Sequence, residues 1–374
     1  MAAEIFDSKV LESKALESKK INLPKFDIVI PLFKPRWNTR AVLEGLTRHY
    51  APSAIHIITP EQEVEALDKI ARDIVIAPLH IHPEEGFFRS LGLTKESICA
   101  ELDLGKSLYN PGWFYQQLLK LGAFEGIPEL SEWYLVWDSD LLPMATWPIF
   151  TEEAAKEETR REETRGEPAL KHTFALLQHN DWGNPTIVSK WETWINEVLG
   201  IPAAVDSVGT FIPHHMWFKQ AHLKSFGQRL NQFFDADDHW LCLMMRSANQ
   251  FGTFGEYWCY ASWVASQAPD DLSFHAYDLY GGTTERFFDD GTGLFSAALR
   301  RHLKAKAEPV NEALFPSYME IDGFVRETYD AAALPSSLSF ESSPRHLKKD
   351  EKNMHIEELR SQWNPRRVQP VSVA

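Results

Sequence analysis

The chain has 374 residues, of which 44% are hydrophobic and 24% are charged, a composition that is typical of globular proteins and excludes collagens, coiled coils and fully disordered chains. Its formal net charge of −15 is unfavourable for a protein that binds nucleic acid through bulk positive charge. No apolar run approaches the ~18 residues that a membrane span needs, so we expect no integral membrane segment.

The N-terminus and the cysteines indicate a cytoplasmic protein. Residues 1–25 carry acids and lysines and lack the apolar stretch of a signal peptide, so they predict a charged N-terminal helix or extension. The cysteines, Cys99, Cys242 and Cys259, are far apart in sequence. This spacing predicts reduced thiols rather than a disulfide framework or a metal site.

The first part of the chain alternates between strand and helix patterns. Three short apolar runs, at 26–32, 55–58 and 74–77, predict buried strands. Helix-start signals lie between them, at residues 38–39 and 59–62. Such alternation predicts an α/β protein with a parallel sheet and right-handed crossovers, in which ligands bind beyond the carboxyl ends of the strands.

The pattern continues in the second part of the chain. Asn110 and Pro111 have the order of a helix cap and a first helical residue, and residues 133–137 are the clearest candidate for a buried strand. One further strand and two helical regions are predicted after them: 173–177, 191–245 and 255–264. Residues 151–171 are a charged insertion, and the polar segment 331–374 predicts a flexible C-terminal tail.

Asp138 and Asp140 directly follow the strand predicted at 133–137, and no Lys or Arg lies within ten residues on either side of them. A buried carboxylate without a partner is costly, and a hard divalent cation such as Mg²⁺ or Mn²⁺ relieves that cost. A metal held there would bridge a diphosphate and offset negative charge on a leaving group. The alternative is that the two acids only cap the turn that follows.

The helix after Pro111 carries a second candidate surface. At 3.6 residues per turn, Trp113, Gln116, Gln117 and Lys120 share one face. An indole, two amides and an ammonium are suited to contact a nucleotide and its phosphates. The same face is equally consistent with the solvated side of an amphipathic helix.

These segments resemble a family of glycosyltransferase-like proteins of the GT-A group. The resemblance is carried by residues 26–31, by W-x-x-Q-Q-x-x-K at 113–120 and by the strand that ends in D-x-D at 134–140, with weaker matches at 208–218 and 255–258. It implies a Rossmann-like, mixed central sheet in one catalytic domain at 26–330. It also implies donor binding near Pro31, and His275 as a third metal ligand.

The weaker segments supply further candidates. His214 and His215 precede an apolar run that looks helical, and with Trp217 they are expected to line the site; local hydrogen bonding at a helix start is the alternative. Glu256 lies among aromatic residues, which raise a carboxyl pKa and suit a general base; it could equally bind the acceptor or begin a helix.

Together these features predict a metal-dependent glycosyltransferase that uses Mn²⁺ or Mg²⁺ and moves a sugar from a UDP- or GDP-sugar to a carbohydrate or other hydroxyl acceptor. A sugar-phosphate nucleotidyltransferase is the nearest alternative, although the residues after the first strand contain no glycine-rich loop. A non-catalytic carbohydrate-binding protein would account for the 13 tryptophans but leaves the D-x-D without a role.

Overall fold

The computed structural model describes residues 25–72, 74, 76–146, 150–152, 170–178, 185–204, 209–210, 214–276, 284–287, 289–306, 315–331 and 334–341. The N-terminal extension predicted at 1–25, apart from its last residue, lies outside the described residues. The same holds for most of the charged insertion and for the tail beyond residue 341.

Strands and helices alternate along the first half of the chain, as the sequence predicts. The strands are β1 (Phe26–Pro31), β2 (Ile55–Thr59), β3 (Leu79–Pro83), β4 (Trp133–Trp137), β5 (Leu141–Pro143), β6 (Phe150–Glu152), β7 (Leu170–Gln178), β8 (Gly209–Thr210), β9 (His215–Lys219), β10 (Leu272–Ala276), β11 (Thr284–Phe287) and β12 (Ser337–Phe340). The helices are α1 (Thr39–Tyr50), α2 (Val64–Arg72), α3 (Lys95–Cys99), α4 (Pro111–Leu121), α5 (Ala123–Gly126), α6 (Pro185–Trp194), α7 (Gln220–Phe234), α8 (Trp240–Phe251), α9 (Glu256–Gln267), α10 (Asp289–Ala305) and α11 (Tyr318–Thr328).

The central sheet has the order β3-β2-β1-β4-β9. The first four strands are parallel, and β9 runs antiparallel to β4. This mixed sheet confirms the predicted fold class, α/β with a mixed central sheet. The carboxyl ends of β1 to β4 meet at one edge, and β9 begins at that same edge because its direction is reversed.

Strand β4 is buried on both faces, which explains its continuous apolar sequence. Leu135 and Trp137 pack into the hydrophobic cluster on one face of the sheet, while Tyr134 and Val136 pack into the cluster on the other. The predicted buried strand is therefore confirmed, and its last residue, Trp137, leads directly to the two aspartates at the sheet edge.

Two smaller sheets complete the described strands. One has the order β10-β7-β6, with β8 paired to β7, and the other has the order β11-β12-β5. In the second, the N–H of Phe340 donates to the carbonyl oxygen of Asp140 at 2.9 Å. The C-terminal strand therefore reaches the sheet edge where β4 ends.

Three predictions about elements are wrong. The third strand does not occupy 74–77 but begins at Leu79, because the segment that pairs with β2 is Leu79–Pro83, a half-buried strand at the edge of the sheet. The region 191–245 is not helical throughout, because it contains β9. Residues 334–341 are not part of a loose tail, because β12 pairs with β11 and β5.

Several local predictions are confirmed. The Asn110 side chain caps α4 by accepting a hydrogen bond from the Trp113 N–H at 2.9 Å, and Pro111 follows it at the first helical position. The helix predicted at 255–264 is α9. The described part of the chain contains no helix with the length and apolar character that crossing a membrane requires.

Candidate active site

Three potential metal ligands meet at the carboxyl end of β4. Asp138 and Asp140 follow the strand, and His214 precedes β9, which begins beside it because Trp137 pairs with His215. One ligand atom from each of Asp138, Asp140 and His214 lies within 4.8 Å of the others. The antiparallel pairing of β9 with β4 thus brings together residues that are far apart in sequence.

The backbone at His214 is strained. Its φ of +58° lies in the left-handed region, which costs a non-glycine residue roughly 1–2 kcal/mol. The carbonyl oxygen of His214 accepts a hydrogen bond from the N–H of Asp138 at 2.8 Å. Backbone strain that is held by its surroundings in this way often occurs at functional sites.

The Asp138 carboxylate is held by three side chains. Its Oδ1 lies 2.8 Å from Lys120 Nζ and accepts a hydrogen bond from the Tyr257 hydroxyl at 3.0 Å. Its Oδ2 lies 3.3 Å from His214 Nδ1. Burial alone would raise the pKa of Asp138, but Lys120 and His214 outweigh that effect and hold the pKa well below its usual range.

The expectation that neither aspartate has a basic partner is wrong for Asp138. Lys120 lies outside the ten-residue window in sequence, but α4 packs beside the sheet and brings its ammonium to Asp138. The same ammonium lies 2.8 Å from Glu256 Oε1 and 4.5 Å from the ring centre of Tyr257. Lys120 is only 4% exposed, so its charge serves this internal network.

Burial would lower the pKa of Lys120, but the carboxylates of Asp138 and Glu256 raise it above the usual value. The ammonium therefore stays charged. Glu256, which is predicted as a general base, is buried at the first position of α9 with Oε1 bound to Lys120. Its carboxylate is anchored in an ion pair.

Asp140 differs sharply from Asp138. Its Oδ1 is buried and has no hydrogen-bond partner among the described residues. Burial raises the pKa of Asp140 to about 6, and the negative charges of Asp138 and Glu341 act in the same direction. An orphaned carboxylate oxygen beside a second carboxylate and an imidazole is the environment that a divalent cation would stabilise.

Glu341 follows β12 and closes the far side of His214. Its Oε1 lies 3.6 Å from His214 Nε2, and its carboxylate accepts hydrogen bonds from Arg286 at 2.7 and 2.6 Å. Burial would lower the pKa of His214, but Glu341 and Asp138 raise it. For Glu341 itself, burial would raise the pKa, whereas His214 and Arg286 lower it, so this carboxylate is charged.

Trp217 lies in the core rather than in the site, and His215 lies beside the last residue of β4. Both lie on β9, with side chains directed to the same face of the sheet because they are two residues apart. Trp217 is fully buried and packs edge-on against Phe26, with ring centres 4.8 Å apart. His215 lies 5.1 Å from the ring of Trp137. The prediction that Trp217 lines the site is wrong, because β9 is a buried strand.

The predicted nucleotide-binding face of α4 is only partly accessible. Trp113 and Gln116 are half-buried, and the Trp113 ring stacks on Tyr109 with centres 4.0 Å apart. Gln117 is buried, and its Nε2 donates to the carbonyl oxygen of Trp113 at 3.2 Å. The predicted face of α4 therefore continues from a half-buried aromatic end to the buried ammonium of Lys120.

Pro31 and His275 are the two remaining predicted residues. Pro31 is the buried last residue of β1, at the same edge of the sheet. His275 lies in β10, which pairs with β7, and its side chain lies outside what the structure describes. Among the described side chains, the third potential metal ligand beside Asp138 and Asp140 is His214, and the role of His275 stays a prediction.

Three residues of the site were not predicted. Tyr257 is adjacent to Glu256 in the aromatic segment, so the segment was recognised but this hydroxyl was not. Arg286 and Glu341 lie on or beside strands of the small C-terminal sheet, whose pairing depends on residues distant in sequence. The sequence signal for Glu341 is its position directly after β12, in which serine and apolar residues alternate.

The donor set fits a small divalent cation. Two carboxylates and one imidazole are ligands that Mn²⁺ accepts, and carboxylates alone suit Mg²⁺. Lys120 and Tyr257 bind Oδ1 of Asp138 and leave Oδ2 directed toward His214. The ion pair is therefore compatible with a metal bound at Oδ2 of Asp138 and Oδ1 of Asp140.

Several solved structures are distantly similar to this chain. Mouse xyloside xylosyltransferase 1 in its apo form is 13% identical, with a TM-score of 0.37, over 78% of this chain and 94% of that one. PaToxG glycosyltransferase is 11% identical, with a TM-score of 0.29, over 80% and 87% of the two chains. The 4-diphosphocytidyl-2C-methyl-D-erythritol synthase of Anaerococcus prevotii is 10% identical, with a TM-score of 0.26, over 57% and 84%.

Likeness at these TM-scores is too distant to indicate a shared substrate, and no curated protein matches the sequence. A family model does match, across residues 34–288, which include the D-x-D, His214 and the Lys120–Glu256 pair. Since that match covers most of the chain, the protein belongs to the family of unknown function DUF6492.

Proposed function

We propose that this protein is a metal-dependent glycosyltransferase that moves a sugar from a nucleoside-diphosphate sugar to a hydroxyl acceptor. The observation that carries the proposal is the cluster of Asp138, Asp140 and His214 at the carboxyl end of β4, where Asp140 Oδ1 is buried without a hydrogen-bond partner among the described residues. In α/β sheets this edge is where ligands bind.

Each residue of the candidate site would have a distinct role. Asp138 Oδ2, Asp140 Oδ1 and His214 would hold Mn²⁺ or Mg²⁺. When bound, the cation would neutralise negative charge on the diphosphate leaving group. Lys120 would keep Asp138 ionised and fixed in orientation, since its ammonium binds the carboxylate oxygen that faces away from His214.

Glu256 would anchor Lys120 and so act through it on Asp138, because its Oε1 is bound to that ammonium at 2.8 Å. This arrangement favours an anchoring role over that of a free general base. Trp113 and Gln116, which are half-buried on α4, remain the candidates for contact with the nucleotide.

Calorimetry with UDP and GDP, each with and without Mn²⁺, tests the proposal. We expect binding of at least one nucleotide that requires Mn²⁺ and that Asp140→Asn abolishes. Asp237→Asn is the matched control, because it removes an exposed acid from another acidic segment. Nucleotide binding that is independent of Mn²⁺ and unchanged in Asp140→Asn would refute the proposed role of the cluster.

A transfer assay separates the remaining enzyme classes. A panel of nucleotide sugars is incubated with the protein and Mn²⁺, and release of the nucleoside diphosphate is measured. Release from one donor supports the glycosyltransferase. Formation of pyrophosphate from a nucleoside triphosphate and a sugar phosphate would instead identify a nucleotidyltransferase, and glycan binding without nucleotide affinity would identify a carbohydrate-binding protein.

A further inference from the structure

The carboxylate of Glu341 is enclosed at the end of β12. Its side chain is 11% exposed, and Arg286 binds both of its oxygens, through Nε at 2.7 Å and Nη2 at 2.6 Å. The Ser339 hydroxyl donates to Oε1 at 2.7 Å, and the Glu341 N–H donates to the carbonyl oxygen of Phe287 at 2.8 Å. Backbone and side chain are therefore both fixed.

The two ring nitrogens of His214 face two different carboxylates. Nδ1 lies 3.3 Å from Asp138 Oδ2, on the side of the proposed metal ligands, and Nε2 lies 3.6 Å from Glu341 Oε1, a charge contact that is longer than a hydrogen bond. Histidines that bind metals almost always direct their second nitrogen at a carboxylate, a carbonyl or water, which sets the tautomer and the ring orientation.

We propose that Glu341, held by Arg286, is a positioning residue that orients His214 so that Nε2 carries the proton and Nδ1 is left to bind a divalent cation. This inference rests on the metal site of the proposed function and assigns a part in it to the C-terminal strand. Glu341 acts through His214 and is not itself a ligand.

Two observations distinguish positioning from direct ligation. Glu341 Oε1 accepts from Arg286 and Ser339 and faces His214 Nε2, and Oε2 accepts from Arg286, so the charge of the carboxylate is already balanced by protein groups. The cluster whose ligand atoms lie within 4.8 Å of one another, among the described residues, consists of Asp138, Asp140 and His214. Glu341 faces the opposite nitrogen of the ring.

The same strand end also holds the second aspartate. The Phe340 N–H donates to the carbonyl oxygen of Asp140 at 2.9 Å, and the Phe340 carbonyl oxygen accepts from Arg36 Nη1 at 2.9 Å. Residues 340 and 341 therefore contact both Asp140 and His214. The last described residues of the chain therefore help to hold two proposed metal ligands in place.

The first test is Mn²⁺ affinity, measured by electron paramagnetic resonance on the full chain. Loss of a carboxylate that orients a ligating histidine weakens metal binding by about 10–100-fold, so we expect about 10-fold weaker binding in Glu341→Gln and up to about 100-fold in Glu341→Ala. Glu101→Gln, which removes the carboxylate partner of Arg246 outside the site, is expected to bind like the wild type.

The second test reads the tautomer. Long-range ¹H–¹⁵N correlation of ¹⁵N-histidine protein with Zn²⁺, a diamagnetic cation that imidazole binds, assigned by comparison with His214→Asn, should show His214 protonated at Nε2. In Glu341→Gln we expect this signal to shift toward a mixture of tautomers. A purely structural role for Glu341 would lower the melting temperature but leave the tautomer unchanged, and that result would overturn the inference.

The outcomes separate this inference from the function on which it rests. Wild-type affinity in both Glu341 variants, together with loss of binding in Asp140→Asn, would overturn the role of Glu341 alone. Absence of Mn²⁺ binding by the wild type would overturn both. If Glu341→Ala fails to fold, Glu341→Gln still decides the matter, because glutamine keeps the size of the side chain and an oxygen for Arg286.

Discussion

Lys120 Nζ and Asp138 Oδ1 lie 2.8 Å apart in a buried ion pair that joins α4 to the end of β4. Glu256 from α9 binds the same ammonium, so one positive charge is shared by two carboxylates on different elements. The Lys120 ammonium gives Asp138 the compensating positive charge that the sequence analysis expects a metal to give both aspartates. The need for a metal therefore rests on Asp140.

Removal of the Lys120 charge should destabilise the protein strongly. Lys120→Met keeps the length of the side chain but leaves two buried carboxylates without their cation, and breaking a buried pair in this way costs about 3–5 kcal/mol. We expect a loss of this size in the free energy of unfolding, measured by urea denaturation in EDTA.

The control is Lys69→Met. Lys69 and Glu65 form an exposed pair on α2, whose removal should change the free energy of unfolding by no more than about 0.5 kcal/mol. In the double variant Lys120→Met/Glu256→Gln, the loss should be smaller than the sum of the two single losses, because one of the orphaned charges is absent. Strict additivity would contradict the network.

Asp140→Asn should stabilise the protein when no metal is present. The folded-state pKa of Asp140, about 6, is above its ordinary value of 3.8, so the ionised carboxylate destabilises the fold progressively as the pH rises through this interval. At pH 7 the neutral amide should raise the free energy of unfolding by about 1–3 kcal/mol, measured in EDTA.

The same variant should lose the rise in melting temperature that Mn²⁺ produces in the wild type, since binding to the native state is the source of that rise. Asp237→Asn, an exposed acid, should change neither quantity. If Asp140→Asn were less stable than the wild type in EDTA, the carboxylate would have a favourable partner, and the case for a cation at Asp140 would fail.

The sequence predicted the elements whose signals are local. Strands β1, β2 and β4 are short apolar runs, and α4 begins with a cap and a proline, which act within a few residues of one another. Strand β9 was missed because a strand buried on both faces lacks polar alternation and resembles a helical segment. Strand β12 was missed because its pairing with β11 and β5 is entirely non-local.

The site follows the same division. Asp138 and Asp140 could be found because they end a buried strand, which is a feature of a few consecutive residues. The partners of these aspartates could not be found by spacing, because Lys120, His214 and Glu341 reach them through packing between elements. Trp217 was assigned to the site because an indole suggests a ring-shaped ligand, whereas in the fold it fills the core.

The strained backbone of His214 predicts an unusual order of stabilities. Glycine adopts positive φ without strain, whereas alanine at φ +58° retains a cost of roughly 1–2 kcal/mol, partly offset by the greater chain entropy of glycine. His214→Gly should therefore be more stable than His214→Ala by about 1 kcal/mol in urea denaturation, and both should lose Mn²⁺ binding.

Ala51 provides the control for this comparison. It follows α1 with a φ of +44°, near the amino ends of β1 and β2, and Ala51→Gly should stabilise the protein by a similar amount. If His214→Ala is at least as stable as His214→Gly, while Ala51→Gly behaves as expected, then the loop relaxes in the variant. The geometry of His214 would in that case not be fixed by its surroundings.

The histidines of β2 and β3 predict how stability changes with pH. His56 Nδ1 and His82 Nε2 lie 3.0 Å apart, and the His56 ring stacks on His80 with centres 5.0 Å apart. Burial lowers the pKa of His56 from 6.5 to about 4, and burial also lowers the pKa of His82. Both rings are therefore neutral in the folded protein at pH 7.

The unfolded chain binds a proton at His56 more readily than the folded protein does. The contribution of neutral His56 to the free energy of unfolding is therefore complete above pH 6.5 and is lost as the pH falls toward 4. His56 alone should account for a loss of about 2 kcal/mol in the free energy of unfolding between pH 7 and pH 5. In His56→Gln, whose amide cannot be protonated but can still bind His82, this loss should be smaller by that amount.

The comparison uses urea denaturation of both proteins at the two pH values, so a uniform cost of the substitution cancels. An equal loss in both would mean that His56 becomes protonated without unfolding, and that the fold tolerates a charge between β2 and β3.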